Sequence, residues 1–212
     1  MIKAILWDFD GTLVDSEEIW FEVVAEVFEK FGHKITPKIY QKYLGLTIEA
    51  ILERLKVDLN IHISVDDFRA QITKKLTAHD IPLVDDAFAT LSNLHKLGIT
   101  MGVVTASHLA WNKPILIHHD IFQFFKFIVS QDDVDNNKPH PESYLKAIDL
   151  LQIPLDEIIV VEDSSVGITA AHDAGLRVIA KLGKFNSSEY LSDADYIINE
   201  LKEVTKIVEN LN

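Results

Sequence analysis

Hydrophobic and polar positions divide this chain into segments of different rhythm. Residues 1–7 form a short apolar, β-branched run that breaks at Asp8-Phe-Asp-Gly-Thr12, which predicts a buried strand emptying into an acidic turn. From about 15 to 80 the spacing is helical. Ile19, Trp20, Val23, Val24, Val27, Phe28 and Phe31 make one stripe closed by Gly32, with Asp15 or Ser16 as its N-cap. Thr36-Pro37 opens a second helix, Thr47 starts a third through Leu55, and Ser64 caps a fourth over Val65 to Ala78. No convincing strand interrupts this stretch, so it reads as an all-helical insertion.

From Pro82 onward strands and helices alternate. Helices are predicted over Ala87 to Leu97, about 108 to 119, Pro141 to Leu151, Ser164 to Ala174 and the C-terminus. Strands are predicted over Ile99 to Val104, Phe127 to Val129, Glu157 to Val161 and Arg177 to Ala180, with Tyr196 to Ile198 as an edge. Such alternation builds right-handed crossover units and a mostly parallel sheet. The expected fold is α/β: a Rossmann-like, mostly parallel sheet with helices on both faces, plus an inserted helical domain. Residues 1–14 and 82–212 make up the expected core and 15–81 the insertion.

Composition narrows the partners. A chain of 212 residues suits one sizeable domain or a core domain with a small insertion. It has no cysteine, which fits a reducing compartment, and no apolar run approaches about 18 residues. The N-terminus enters a strand at once, leaving no room for a secretory leader, so a soluble, cytoplasmic protein is expected. A net charge of −13 argues against nucleic acid or an anionic membrane as partner. An anionic substrate would need local cations.

In a parallel sheet of crossover units all strand C-termini face one way, so Asp8, Asp10, Thr105, the 130–138 loop and Glu162-Asp163 should converge on one rim. Residues two apart on a strand share a side, so Asp8 and Asp10 lean together while Phe9 enters the core. Two such carboxylates persist only if a cation neutralises them or one keeps its proton. Glu162 and Asp163 supply hard oxygen ligands suited to Mg²⁺, Lys138 a compact cation, and Thr105 with the following amides neutral donors. That set suits a carboxylate attacking a phosphoryl group. Asp132, Asp133 and Asp135 read as a solvated acidic loop. His118 and His119, adjacent on a helix, should splay apart, which is poor metal geometry.

Four motifs in chain order then give the sequence a family resemblance. Asp8-Phe-Asp-Gly-Thr12, Val103-Val-Thr105-Ala-Ser107, Asn137-Lys138-Pro139 and Val160-Val-Glu162-Asp163-Ser164 resemble the four motifs of the haloacid dehalogenase superfamily, in the branch of β-phosphoglucomutase and small sugar-phosphate phosphatases. The likeness spans nearly the whole chain and implies that the 15–81 insertion is a helical cap. It implies a Mg²⁺-dependent phosphatase in which Asp8 attacks phosphorus and Asp10 serves as acid and then base. Asp8, the Asp10 carbonyl, Asp163 and Glu162 would hold the metal, and Thr105, the Ala106 amide and Lys138 the phosphoryl oxygens. The partner implied is a small phosphate ester, met by a monomer.

In the cap the resemblance is looser. Trp20 stands where the mutase branch carries a histidine, and Thr47, after Leu44-Gly45-Leu46, about where mutases hold an arginine for a second phosphate. Both departures favour hydrolysis over the mutase alternative, and Trp20, Gly45 and Thr47 are the cap residues expected to bear on specificity. A phosphoaspartate receiver domain would be much shorter and lack the insertion, and a silent binding protein would lack one of the stations. Val84-Asp85-Asp86 replaces the Pro-Gly turn common in relatives.

Overall fold

The computed structural model describes residues 1–75 and 81–211. Its centre is β1 (Ala4–Trp7), four buried residues that face two ways. Ile5 and Trp7 pack with Met101, Val103, Ile159 and Val161, whereas Ala4 and Leu6 pack on the opposite side with Val104, Ile158, Val160 and Val178. A strand apolar on both faces must be covered on both. Around it stand β2 (Thr100–Val104), β3 (Phe127–Val129), β4 (Ile158–Glu162), β5 (Arg177–Lys181) and β6 (Tyr196–Ile198), in the order β3-β2-β1-β4-β5-β6 with every neighbouring pair parallel.

Between β1 and β2 the chain forms α1 (Glu17–Lys30), α2 (Pro37–Tyr40), α3 (Ile48–Leu59) and α4 (Val65–Lys75). The expected last turn of the fourth helix, to Ala78, lies outside the described residues. Thr36 and Thr47 cap α2 and α3 through their hydroxyls, and the Ser64 hydroxyl accepts from the Asp67 amide at the start of α4. The chain leaves the sheet layer and re-enters it side by side: the Asp15 amide donates to Pro82 O at 2.9 Å and the Val84 amide to Leu13 O at 3.0 Å. Just beyond, Asp86 adopts φ +66°, the left-handed conformation that a glycine takes without steric cost. The buried stripe Val23, Val24, Val27 and Phe28 joins Tyr40, Leu55 and Phe68 in the same apolar cluster as one face of the sheet.

The remaining helices are α5 (Ala87–Lys96), α6 (Leu109–His118), α7 (Glu142–Leu151), α8 (Ser165–Asp173) and α9 (Lys202–Asn210). Two local expectations need correction. Ser16 occupies the N-cap position of α1, but its hydroxyl makes no cap bond and donates instead to Asp10 Oδ1 at 2.6 Å. The His118 and His119 rings meet edge to face with centroids 4.9 Å apart rather than splaying. His119 is already past the end of α6, so the helical rotation between neighbours no longer separates the two.

Ile159→Ala, at a fully buried position of β4, should lower the unfolding free energy by about 3 kcal/mol in urea denaturation. Val57→Ala, on the exposed side of α3, should change it by less than about 0.5 kcal/mol.

Candidate active site

Strand register brings three carboxyl ends level. Trp7 lies opposite both Val103 and Val161, so Asp8, Thr105 and Glu162-Asp163 leave the sheet along one edge. The Asp8 amide donates to Val161 O and the Thr105 amide to Val129 O, each at 2.9 Å, which fixes both residues as continuations of the ladder. Asp8, Glu162 and Asp163 each place a carboxylate oxygen within 4.8 Å of the others. All three are buried. Gly11 makes that approach possible: a Cβ there would lie 2.1 Å from Asp163 Oδ2.

Lys138 joins the group from the 130–138 loop. Its Nζ donates to Asp8 Oδ1 at 2.7 Å, Glu162 Oε1 at 2.6 Å and Val104 O at 3.0 Å, so all three of its donors are engaged. Burial alone would lower its pKa, but the charges of Asp8 and Glu162 overcome that and hold it above the ordinary lysine value. The ammonium also lies 5.1 Å from the centre of the Tyr144 ring, whose hydroxyl donates to Glu162 Oε1 at 3.1 Å. Glu162 Oε2 accepts from the Asp163 amide, the Ser164 amide and the Ser164 hydroxyl at 3.0–3.1 Å. Glu162 is therefore a heavily bonded anchor.

Burial pushes the Asp8 carboxyl well above the usual range, with the Glu162 charge adding to the shift and Lys138 opposing it. Burial also raises Asp163, reinforced by the charges of Glu17, Asp8 and Glu162 and opposed by Lys181. Three buried carboxyls against the buried ammoniums of Lys138 and Lys181 still leave a place for a further cation. The donors are all oxygens, a set that suits a hard divalent ion such as Mg²⁺.

Asp10 stands beside this cluster and is held from two sides. Its Oδ1 accepts from the Ser16 hydroxyl at 2.6 Å and its Oδ2 from the Ser107 hydroxyl at 2.7 Å. The Ser107 amide in turn donates to Thr105 Oγ1 at 3.1 Å. Asp8, Asp10, Thr105, Ala106 and Ser107 floor a cavity of about 510 Å³. Its opposite wall comes from the inserted helices and includes all three expected cap residues, Trp20, Gly45 and Thr47. Gly45, at φ +71°, brings its loop down onto Ser164, where a Cβ would come within 2.4 Å of the hydroxyl oxygen. The Thr47 hydroxyl accepts from the Ala50 amide at 3.2 Å and so starts α3 as well as facing the cavity.

Several residues at and around the cavity have contacts that the sequence did not signal. Tyr40 donates to Glu17 at 2.8 Å, and burial, followed by the charges of Asp10 and Asp15, pushes Glu17 up to about 8 although that bond works the other way. Asp132 is more than a solvated loop acid. Its Oδ2 accepts from the Leu109 amide at 2.8 Å, capping α6 across the fold, and its Oδ1 meets His108 Nδ1 at 2.6 Å. Asp133 likewise closes a capping box with Ser130. Tyr144 had no motif around it. Ser107 lay inside the second motif and Ser16 at a helix start, but nothing local said that both hydroxyls would meet Asp10.

Comparison with known proteins finds relatives along nearly the whole chain. A family profile described as haloacid dehalogenase-like hydrolase matches residues 5–181. Validoxylamine A 7'-phosphate phosphatase of Streptomyces hygroscopicus is 30% identical over 96% of each chain. A phosphorylated carbohydrates phosphatase of Thermotoga maritima is 28% identical over 96% of this chain and 100% of its own. Among solved structures, CbbY from Rhodobacter sphaeroides in complex with phosphate superposes with a TM-score of 0.77 at 26% identity, covering 96% of both chains.

Lys138→Met should lower stability by about 3 kcal/mol in chemical denaturation without added metal, because it leaves Asp8 and Glu162 facing each other in a buried site. Unchanged stability would mean that the ammonium does not hold the cluster together.

Proposed function

The chain belongs to the haloacid dehalogenase-like hydrolases, and on that basis we propose that it is a Mg²⁺-dependent phosphatase acting on a small phosphomonoester, a sugar phosphate or similar metabolite, through an aspartyl phosphate on Asp8. The observation that carries this reading is the buried set of Asp8, Lys138, Glu162 and Asp163 at the edge of a cavity of metabolite size. Residues 15–81 act as the cap and residues 1–14 with 82–212 as the catalytic core.

In this mechanism a carboxylate oxygen of Asp8 attacks phosphorus and the phosphorus–oxygen ester bond breaks. Asp10 gives its proton to the departing alcohol oxygen, then takes one from the water that attacks the aspartyl phosphate. Inorganic phosphate leaves and Asp8 is restored. The Ser16 and Ser107 hydroxyls hold Asp10 in place through both steps. Thr105 and the Ala106 amide receive phosphoryl oxygens, and Lys138 keeps Asp8 aimed while offering charge to the transferring group. Asp8, Asp163 and the Asp10 carbonyl would hold Mg²⁺, with Glu162 beside them binding Lys138. When bound, the ion supplies positive charge that screens nucleophile from phosphoryl group. Trp20 on the cavity wall supplies no base for sugar isomerisation, so hydrolysis is the better reading than mutase chemistry.

A panel of phosphate esters assayed for released phosphate tests the proposal: Asp8→Asn should abolish turnover and keep a native circular dichroism spectrum. Ser107→Ala should lower kcat about tenfold, the scale of one lost orienting hydrogen bond.

Because the folded-state pKa values of Asp8 and Asp163 lie above those of an unfolded chain, the metal-free protein loses stability as pH rises through that window. Saturating Mg²⁺ should therefore raise Tm by about 5 °C or more over EDTA, with a larger increment at pH 8 than at pH 6. An increment of zero at both values would contradict the metal assignment.

A further inference from the structure

We propose that Arg69 is the receptor for a second anionic group on the substrate, so that the enzyme selects phosphate esters whose leaving group carries its own carboxylate or phosphate. This deepens the phosphatase reading of the same cavity and rests on it.

Among the described residues lining the cavity, Arg69 of α4 is the one arginine or lysine. Lys138 lies behind Asp8 with its donors already engaged. The lining acids are Asp8, Asp10, Glu17 and Asp132, and the remaining wall is largely apolar, with Trp20, Tyr43, Leu46, Ile48, Ile51 and Trp111. Against those acids the Arg69 guanidinium is the feature that an anionic leaving group can use.

Its place in the chamber is fixed. Arg69 Nη2 lies 2.9 Å from His108 Nε2, and His108 Nδ1 lies 2.6 Å from Asp132 Oδ1. The consistent proton arrangement has Arg69 donating to Nε2 of a neutral ring whose Nδ1–H donates to Asp132. His108 directly follows Ser107, whose hydroxyl holds Asp10. Asp10 faces the ester oxygen, so Arg69 faces the part of the leaving group next to that oxygen. The same guanidinium pairs with Glu49 at 3.1 Å, but both side chains are more than 40% exposed, and such a pair is worth little. A carboxylate or phosphate entering the chamber can replace it and use the planar fork of donors, which matches two oxygens at once.

The test uses matched esters with Mg²⁺ present: phosphoglycolate against hydroxyethyl phosphate for a carboxylate, and a sugar bisphosphate against the matching monophosphate for a phosphate. Wild type should favour the acidic member of at least one pair by about 30-fold in kcat/KM, the scale of one charge-assisted bond, and the pair that shows it identifies the group. In Arg69→Gln that preference should fall to about threefold or less, with KM carrying the change, and Arg69→Lys should fall between. Calorimetric binding of the same esters to Asp8→Asn protein, with and without Arg69→Gln, reads the selectivity without turnover. No preference in wild type, or a preference that survives Arg69→Gln, overturns the assignment. Release of phosphate from none of the four esters by wild type, with no ester bound by the Asp8→Asn protein, overturns the phosphatase reading and the Arg69 assignment together.

Discussion

A buried ammonium between two buried carboxylates is the constraint around which this fold is arranged. Taking three charges out of water is costly, and their mutual attraction compensates only when every donor and acceptor is satisfied. Lys138 meets that condition through Asp8, Glu162 and Val104 O, and Glu162 meets it through Lys138, Tyr144 and the first atoms of the turn into α8. The consequences spread outward. For Lys138 to arrive at the right depth its loop must be fixed, and Glu142 at the start of α7 does this by accepting from the Asp135 and Asn136 amides at 2.8 and 3.0 Å. One ion-pair cluster thus ties together β1, β4, the 130–138 loop, α7 and α8.

Most of that frame was legible because it rests on short-range rules. Apolar runs on both faces marked the parallel strands, and strand ends marked the rim where Asp8, Thr105 and Glu162-Asp163 emerge. What stayed hidden depends on which hydroxyl or carboxylate meets which partner across the fold. Ser16 sits where a capping serine should, yet Asp10 is the stronger acceptor within reach, so the hydroxyl turns away from the helix. Asp132 looked like an exposed loop charge because its partners, the Leu109 amide and His108, are 23 and 24 residues away in sequence. His118 and His119 were misjudged for a local reason: a helix that stops between two residues does not rotate them apart.

The helical segment both roofs and lines the chamber. Its apolar stripe shares one core cluster with the sheet, so the wall bearing Trp20 and Tyr43 is braced by the same packing that holds β1. Close approach at Gly45 sets the height of the roof above Ser164, one residue from Asp163. The Arg69–His108 contact then joins roof to floor beside the residue that holds Asp10. A segment that reads in sequence as an insertion supplies, in three dimensions, half of the described cavity lining.

Electrostatics reconcile this chamber with a strongly acidic protein. A net charge of −13 implies a repulsive field for any phosphate, but at physiological ionic strength charges more than about 8 Å apart across solvent are largely screened. At contact distances screening is weaker, and the apolar part of the cavity wall strengthens the nearest interactions. On the proposed reading the charges that decide binding are the few nearest the cavity, Lys138 buried behind Asp8 and Arg69 on the facing wall, together with the cation that the carboxylates require. Local cations must then outweigh local acids for a phosphate ester to enter.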